Sequence, residues 1–153
     1  MRIALYQPEI AGNVGAILRL AACLAVPVEI IEPCGFVFDD RRLKRAAMDY
    51  GPLAEMTRHA DWPSFQAFAR DSGARLVLMS SKASTSIYRT AFQDNDILLM
   101  GSESAGVPDH VRDACDLQTT IPMTAGVRSL NISVATGIAL GEALRQTRRL
   151  GEA

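Results

Sequence analysis

The chain of 153 residues has the size of one domain, and its formal net charge of −1 identifies no partner by charge. Hydrophobic residues make up 48% and charged residues 22% of the chain, which is typical of a globular protein and excludes a disordered one. No apolar run approaches the roughly 20 residues that span a bilayer, and the N-terminus becomes polar too early for a signal peptide. We therefore expect a cytoplasmic protein with one domain, residues 1–153, and no membrane segment.

Cysteine and histidine usage excludes two common kinds of site. The three cysteines are an odd number without CxxC spacing, which fits neither a disulfide framework nor a zinc motif. Because the chain has only two histidines, a His-rich site is excluded by count, and we expect no metal. Cys23 falls in an apolar helical pattern, which predicts that its small side chain is buried.

The apolar pattern alternates between short strands and helices along the chain. Predicted strands lie at residues 2–6, 27–31, 75–80, 96–100 and 117–121. Several of them are almost continuously apolar, as strands buried on both faces of a parallel sheet are. Predicted helices lie at residues 14–25, 40–48, 62–71, 108–115 and 130–149. The alternation predicts an α/β fold with a parallel sheet, and the polar residues 80–95 predict a loop.

The last predicted helix is rich in alanine and carries Gly137 and Gly141 one turn apart. Small residues let another backbone approach closely. Two interpretations stay open, which are tight packing on the protein's own sheet and helix packing across a dimer.

Three segments stand where an apolar run meets a loop or a helix start, namely residues 13–19, 101–106 and 121–133. In open α/β domains, functional sites collect at the carboxyl ends of the strands. The three segments therefore predict one composite pocket built from distant parts of the chain.

The first segment offers Asn13 and Arg19. Asn13 precedes an apolar helical run, so its simplest role is the N-cap of that helix. Arg19 lies between Leu18 and Leu20 on a helix that otherwise buries its residues. A buried arginine needs a partner or a ligand, whereas an exposed one on the polar side of the helix needs neither, and the pattern leaves both open.

The second segment, Gly101-x-Glu103-x-x-Gly106, follows an apolar strand. Glycines at a strand exit allow positive φ or the close approach of a ligand. The spacing is neither GxGxxG nor a P-loop, and the central glutamate excludes a GxSxG elbow. A tight turn by itself explains both glycines, while the acidic residue inside the turn suggests a site.

The third segment opens the final helix with Ser129 and Asn131, either of which is a candidate N-cap. A helix N-terminus also offers free backbone N–H groups to a ligand. Together with Ile121 and Met123, it would form an apolar wall with backbone donors. Such a wall suits an adenine ring with a thioether or sulfonium better than a triphosphate.

Basic residues are clustered although the net charge is small. One cluster lies near position 43 and another near the C-terminus, and a solvated helix face explains either one. The alternative is a phosphate footprint, for which local clusters matter more than the total charge. The first cluster consists of Arg41, Arg42, Lys44 and Arg45. The second consists of Arg145, Arg148 and Arg149.

Over essentially its whole length, the chain resembles the SPOUT (α/β-knot) methyltransferases. Within that class it is most similar to the minimal tRNA (cytidine/uridine-34) 2′-O-methyltransferases. The closer likeness is carried by the blocks Tyr6-Gln7-Pro8-Glu9-Ile10, Ile31-Glu32-Pro33-x-Gly35-Phe36, Asp39-Asp40-Arg41-Arg42-Leu43 and Asp49-Tyr50.

The resemblance implies a deep trefoil knot in the C-terminal part, a homodimer, and S-adenosylmethionine (AdoMet) held in the knot loops. By motif, the cofactor-binding residues would be Met79, Gly101, Ile121, Met123, Ser129 and Leu130. Arg19 would sit at the reacting hydroxyl, and Asn13, Glu103 and Asn131 would support the site. The first basic cluster, Arg41, Arg42, Lys44 and Arg45, would contact phosphates of the tRNA anticodon arm.

The implied function is 2′-O-methylation of the tRNA wobble nucleotide, either cytidine or a modified uridine. One alternative is 2′-O-methylation of ribosomal RNA, although those relatives usually carry an extra RNA-binding domain. Another alternative is a non-catalytic nucleotide- or flavin-binding module. The absence of a phosphate loop after the first strand argues against it. The chain departs from the family pattern at Ala11, Ala16, Ala105 and residues 124–127, and these departures leave the cofactor motif intact.

Overall fold

The computed structural model describes residues 1–38 and 55–147, so the predicted helix at 40–48 lies outside the described residues. The strands are β1 (Arg2–Tyr6), β2 (Val28–Ile31), β3 (Met56–His59), β4 (Arg75–Met79), β5 (Asp96–Met100) and β6 (Leu117–Thr119). The helices are α1 (Ala11–Cys23), α2 (Trp62–Asp71), α3 (Asp109–Asp113) and α4 (Ile132–Gln146), with a 3₁₀ turn at Ile87–Arg89.

The strands form one six-stranded sheet in the order β3-β2-β1-β5-β4-β6, and every neighbouring pair is parallel. This confirms the predicted parallel α/β architecture. In the centre of the sheet, Leu5 of β1 lies opposite Ile30 of β2 and Met100 of β5. The carboxyl ends of these strands therefore meet at one edge, where the predicted pocket was expected.

The strand β3 was not predicted from the sequence. It pairs with β2 at the edge of the sheet, and of its four residues only His59 is buried. Because an edge strand needs no continuous apolar run, Met56-Thr57-Arg58-His59 carries no signal of the kind that marked the other strands.

The hydrophobic core covers both faces of the sheet. Along β1, Ile3 and Leu5 belong to one core cluster, whereas Ala4 and Tyr6 belong to the other, as the two-residue period of a strand requires. The first cluster includes α1 and α4, and the second includes α2, whose Phe65 is fully buried. The helices thus lie on both faces of the sheet, as in other parallel α/β domains.

The helix ends correct one prediction and decide another. Asn13 is not the N-cap of α1, because that helix begins at Ala11 and has no side-chain cap of its own. Asn131 is the N-cap of α4, and its side-chain oxygen accepts from the backbone N–H of Ser133 at 2.9 Å and of Val134 at 3.4 Å.

The structure tests the predicted burial of Cys23 on α1 and the packing of Gly137 on α4. Cys23 is exposed, so its predicted burial is wrong. It lies off the helix face formed by Val14, Leu18 and Ala21, which packs against the sheet. A Cβ added at Gly137 would contact Leu20 of α1 at 3.7 Å, so this glycine packs within the chain.

No helix within residues 1–38 or 55–147 is long and apolar enough to cross a membrane.

Candidate functional site

A cavity of about 600 Å³ lies at the carboxyl ends of β4 and β5. Its walls come from the ends of these strands, the turn after β5, and the segment between β6 and α4. The volume falls within the range of about 300–1,000 Å³ that is typical of small-molecule sites. The second and third of the three sequence segments line the cavity, whereas no residue of the first segment, 13–19, is among the lining residues.

All six residues expected at the cofactor line this one cavity, although they come from four separate segments. They are Met79, Gly101, Ile121, Met123, Ser129 and Leu130. Apolar side chains form one part of the wall and the glycine-containing turn forms another. The cavity thus combines a surface for a flat apolar ring with a backbone that a ligand can approach closely.

The turn 101–106 is closed by its own backbone. The N–H of Ser102 donates to the carbonyl of Gly106 and the N–H of Gly106 donates to the carbonyl of Ser102, both at 2.9 Å. A Cβ at Gly101 would lie 2.7 Å from Gly106 Cα, and Gly106 has φ +68°. The tight turn therefore requires glycine at both positions, which accounts for the spacing seen in the sequence.

Glu103 connects this turn to the beginning of α1. Its carboxylate accepts from the backbone N–H of Glu9 at 2.8 Å and of Ile10 at 3.3 Å, and from Asn13 Nδ2 at 3.1 Å. Helix N-termini leave backbone N–H groups without intrahelical acceptors. Because α1 has no side-chain cap of its own, Glu103 supplies these acceptors from a turn about 90 positions away.

Asn13 extends the connection to α4. Asn131 Nδ2 donates to Asn13 Oδ1 at 3.0 Å, while Asn131 Oδ1 caps its own helix. Three of the four residues predicted to act in or support catalysis are therefore joined in the order Glu103, Asn13, Asn131. This hydrogen-bonded set fixes α1, α4 and the cavity turn relative to one another.

Arg19 is exposed on α1, and it is not among the residues that line the cavity. It follows Asn13 by about 1.7 helical turns, while its neighbours Leu18 and Ile17 are buried against the sheet. Of the two alternatives left open by the sequence, the exposed side of the helix is correct.

Sequence reasoning missed Glu9 and the cations of the cavity wall. Glu9 accepts two hydrogen bonds from Ser104, a residue 95 positions away, and its one signal in the sequence was its place in a block that resembles the family. Lys82, Arg112 and Arg128 line the cavity. Arg112 pairs with Asp109 at 2.8 Å and with Asp113 at 3.5 Å. Because Glu103 also lines the cavity, its wall carries charges of both signs.

Two further expectations concern the basic cluster and metal binding. The predicted phosphate contacts Arg41, Arg42, Lys44 and Arg45 lie outside the described residues. Within the part of the chain that the structure describes, no three His, Cys, Asp or Glu side chains are grouped so as to hold a metal ion.

The fold and the cavity agree with the chain's similarity to known proteins. A model of the SpoU rRNA Methylase family matches residues 1–141. The chain therefore belongs to the SpoU methylase family.

Particular relatives match almost the whole chain. A tRNA (cytidine(34)-2′-O)-methyltransferase of Beijerinckia indica is 48% identical over 150 residues, which are 98% of this chain and 94% of that protein. A solved structure, described as giving structural insights into the 2-OH methylation of C/U34 on tRNA, is 40% identical to this chain. Its TM-score is 0.89, and the match covers 95% of this chain and 94% of that one. An AdoMet-bound rRNA methyltransferase from Sinorhizobium meliloti is 27% identical, with a TM-score of 0.85 over 94% of this chain and 55% of that one.

Proposed function

We propose that this protein transfers the methyl group of AdoMet to the ribose 2′-OH of the wobble nucleotide of tRNA, at position 34, either cytidine or a modified uridine. The observation that carries the proposal is the 48% identity, over 98% of the chain, to a protein named for this reaction. Acting on tRNA, the protein would work in the cytoplasm as a single methyltransferase domain spanning residues 1–153.

The cavity fits AdoMet by its size and its chemistry. Ile121, Met123 and Leu130 offer an apolar surface for the adenine ring, and the Gly101–Gly106 turn allows close approach of the backbone. When bound, AdoMet supplies an electrophilic methyl group on its sulfonium. Met79 and Ser129 complete the proposed cofactor-binding set together with these residues. The similarity to an AdoMet-bound relative supports this assignment.

Arg19 is the proposed catalytic residue. A 2′-OH must lie within about 3–3.5 Å of the methyl group and lose its proton as the new bond forms. Arginine does not act as a base, because its pKa lies above about 12. We therefore favour a charged Arg19 that stabilises the developing alkoxide, over an Arg19 that works with an RNA phosphate relaying the proton. Its exposure on α1 leaves it accessible to RNA on the surface.

Asn13, Glu103 and Asn131 support the site by fixing the helix that carries Arg19. Their side chains are committed to hydrogen bonds of 2.8–3.3 Å with one another and with the start of α1. In particular, the Glu103 carboxylate already accepts three hydrogen bonds. This arrangement suits a positioning role better than proton transfer.

A homodimer is proposed from an exposed apolar stripe on α4. Val134 is 50% exposed and Ile138 is 37% exposed, and with Gly141 they follow the spacing of one helix face. A Cβ added at Gly141 meets no heavy atom of the described residues within 4 Å. Exposed apolar stripes beside small residues are typical of helices that pack against a partner, here a second copy of the chain.

A C-terminal trefoil knot is proposed from the path of the chain after β6. Thr120 hydrogen-bonds with both Thr85 and Ile87 of the loop that follows β4. The chain then leaves this edge of the sheet, and α4 returns to pack against α1 and the central strand β5. A segment that passes the 80–95 loop in this way supports threading of the C-terminal part through that loop.

The tRNA anticodon arm is the proposed partner, with Arg41, Arg42, Lys44 and Arg45 as phosphate contacts. Clustered Arg and Lys residues bind nucleic acid through phosphates without reading its sequence. Base or sequence selection would then fall to other surfaces of the dimer.

Ribosomal RNA is the second candidate substrate, because the family model is described by rRNA methylation and an rRNA methyltransferase shares the fold. Tritium transfer from labelled AdoMet to purified tRNA and to purified ribosomal RNA discriminates between the two. We expect label in tRNA only. Label confined to ribosomal RNA would contradict the proposed substrate and retain the reaction.

A further inference from the structure

We propose that Glu9 is a positioning residue that shapes the AdoMet cavity by holding the turn 101–106 against the start of α1. The inference rests on the proposed function, because it assigns AdoMet to this cavity. Glu9 lies apart from the residues that line the cavity, whereas its hydrogen-bond partner Ser104 lines it. Glu9 thus acts on the cofactor through the turn.

The contact between Glu9 and the turn uses both carboxylate oxygens. Glu9 Oε2 accepts from the backbone N–H of Ser104 at 2.8 Å, and Oε1 accepts from Ser104 Oγ at 2.6 Å. These hydrogen bonds, first the one from the hydroxyl, lower the pKa of the Glu9 carboxyl below its usual range. The group is therefore a carboxylate at neutral pH, with two acceptors for two donors.

A second carboxylate makes the connection reciprocal. Glu103, adjacent to Ser104, accepts from the backbone N–H of Glu9 and of Ile10. Residues 9–10 and 103–104 are therefore joined by four hydrogen bonds that run in both directions. Ser104 and Ala105 are exposed, so the tip of the turn has little packing around it, and these hydrogen bonds hold it against the start of α1.

The segment that carries Glu9 is fixed by contacts with β2 and the loop after β2. The N–H of Gly35 donates to the carbonyl of Pro8 at 2.9 Å, and a Cβ at Gly35 would lie 2.9 Å from Glu9 Cα. Gln7 adopts a left-handed φ of +45° and donates its N–H to Ile31 at 2.9 Å. Because residues 7–9 are fixed on the sheet side, the turn is the part that Glu9 holds in place.

The chain contains a matched control for this interaction. The Asp61 carboxylate accepts from the N–H of Ser64 at 2.8 Å, and hydrogen bonds from Ser64 lower the pKa of Asp61 in the same manner. Asp61 caps α2, remote from the cavity. Removing it takes away a similar carboxylate–serine contact without touching the turn.

The experiment compares Glu9→Ala, Glu9→Gln and Asp61→Ala for the Kd of AdoMet by calorimetry, for kcat and KM on tRNA, and for Tm. We expect Glu9→Ala to raise the AdoMet Kd about tenfold, as for the loss of two hydrogen bonds. Glu9→Gln should stay within about threefold, since its amide has an acceptor for the Ser104 N–H and a donor for Oγ. Asp61→Ala should lower Tm and leave Kd unchanged.

Equal losses of Tm in Glu9→Ala and Asp61→Ala, with unchanged AdoMet Kd in both, would overturn the proposal. If Glu9→Ala does not fold, Ser104→Ala tests the contact from the other side, with an expected rise in Kd of about threefold in the wild type. An unchanged AdoMet Kd in Ser104→Ala would contradict Oγ as the partner of Glu9.

The outcomes also separate this inference from the proposed function. A wild-type protein that binds AdoMet but methylates no tRNA would contradict the proposed substrate, while the effect of Glu9 on Kd would still be measured. A wild-type protein that binds no AdoMet would overturn both.

Discussion

Two glutamates of this protein sit at the centres of polar clusters with opposite character. The side chain of Glu29 is fully buried in β2, where it accepts from Arg2 of β1 and pairs with His59 of β3, each at 2.7 Å. Glu103 is partly exposed in the turn after β5, and it accepts from three groups at the start of α1. The first cluster joins neighbouring strands, and the second joins loops and helix starts.

The different positions of these two glutamates indicate that the Glu29 cluster stabilises the fold and that the Glu103 cluster serves the site. Glu29 lies within the sheet, so its charge is removed from water and must be paired. Glu103 lies at the carboxyl edge of the sheet, where it connects the cavity turn with the helix of Arg19. We therefore expect substitutions around Glu29 to change the free energy of unfolding, and substitutions around Glu103 to change AdoMet binding and methyl transfer.

The largest effect is expected for Arg19, on the functional side of the comparison. Arg19→Ala and Arg19→Lys should each lower methyl transfer by about 100- to 1,000-fold, because a group that stabilises developing charge is lost or misplaced. AdoMet binding, measured by calorimetry, should be retained, since Arg19 lies apart from the cavity lining. Turnover of Arg19→Ala near the wild-type rate would make this residue structural only.

On the stability side, Glu29→Ala leaves the buried His59 and part of Arg2 without their carboxylate. Because the Arg2 side chain is 34% exposed, we expect a loss of about 3 kcal/mol, the lower end for breaking a buried pair, and a fall in Tm of about 6–12 °C.

Urea unfolding of Glu29→Ala and Asn13→Ala makes the comparison quantitative. The hydrogen bonds of Asn13 are partly exposed, so its loss should cost about 1 kcal/mol or less. AdoMet binding by folded Glu29→Ala at low temperature should match the wild type. If Asn13→Ala were the less stable of the two, the division between the clusters would be wrong.

An intermediate effect is expected when the cavity turn is distorted. In Gly101→Ala, the new Cβ would lie 2.7 Å from the backbone of Gly106, so the turn must shift and the AdoMet Kd should rise about 10- to 100-fold. Gly12→Ala is the control, because a Cβ there meets no heavy atom of the described residues within 4 Å. Equal AdoMet affinity in both variants would remove the turn from the cofactor site.

The smallest effect concerns the reactivity of the cysteines. Burial and then the charge of Glu32 raise the pKa of Cys34 to about 11, and burial and then the charge of Asp116 raise the pKa of Cys115 to about 12. Both thiols are therefore protonated at neutral pH, and thiolate is the reactive form. Alkylation followed by mass spectrometry should modify the exposed Cys23 first, and modification of Cys115 before Cys23 would contradict this order.

The sequence predicted those parts of the molecule whose signals are local. Strands such as β5, with all five residues buried, are apolar runs that periodicity identifies. The edge strand β3 is mostly polar and has no such signal. The glycines of the turn 101–106 were predicted to allow a tight turn, and the structure confirms this because backbone sterics are set by neighbouring residues.

Contacts between segments that are distant in the sequence could not be predicted from local sequence patterns. Asn13 was interpreted as an N-cap, whereas its partners are Glu103, 90 positions away, and Asn131, 118 positions away. Ser104, the partner of Glu9, is equally remote in sequence. The six residues expected at the cofactor came from the family resemblance, and their convergence on one cavity agrees with the rule that sites form at the carboxyl ends of parallel strands.

Mass spectrometry of nucleosides from tRNA incubated with the protein and AdoMet tests the proposed reaction and its position on the tRNA together. We expect a new 2′-O-methylated cytidine or modified uridine that maps to position 34. A 2′-O-methylated nucleoside at another position, or unmethylated tRNA alongside methylated ribosomal RNA, would contradict it.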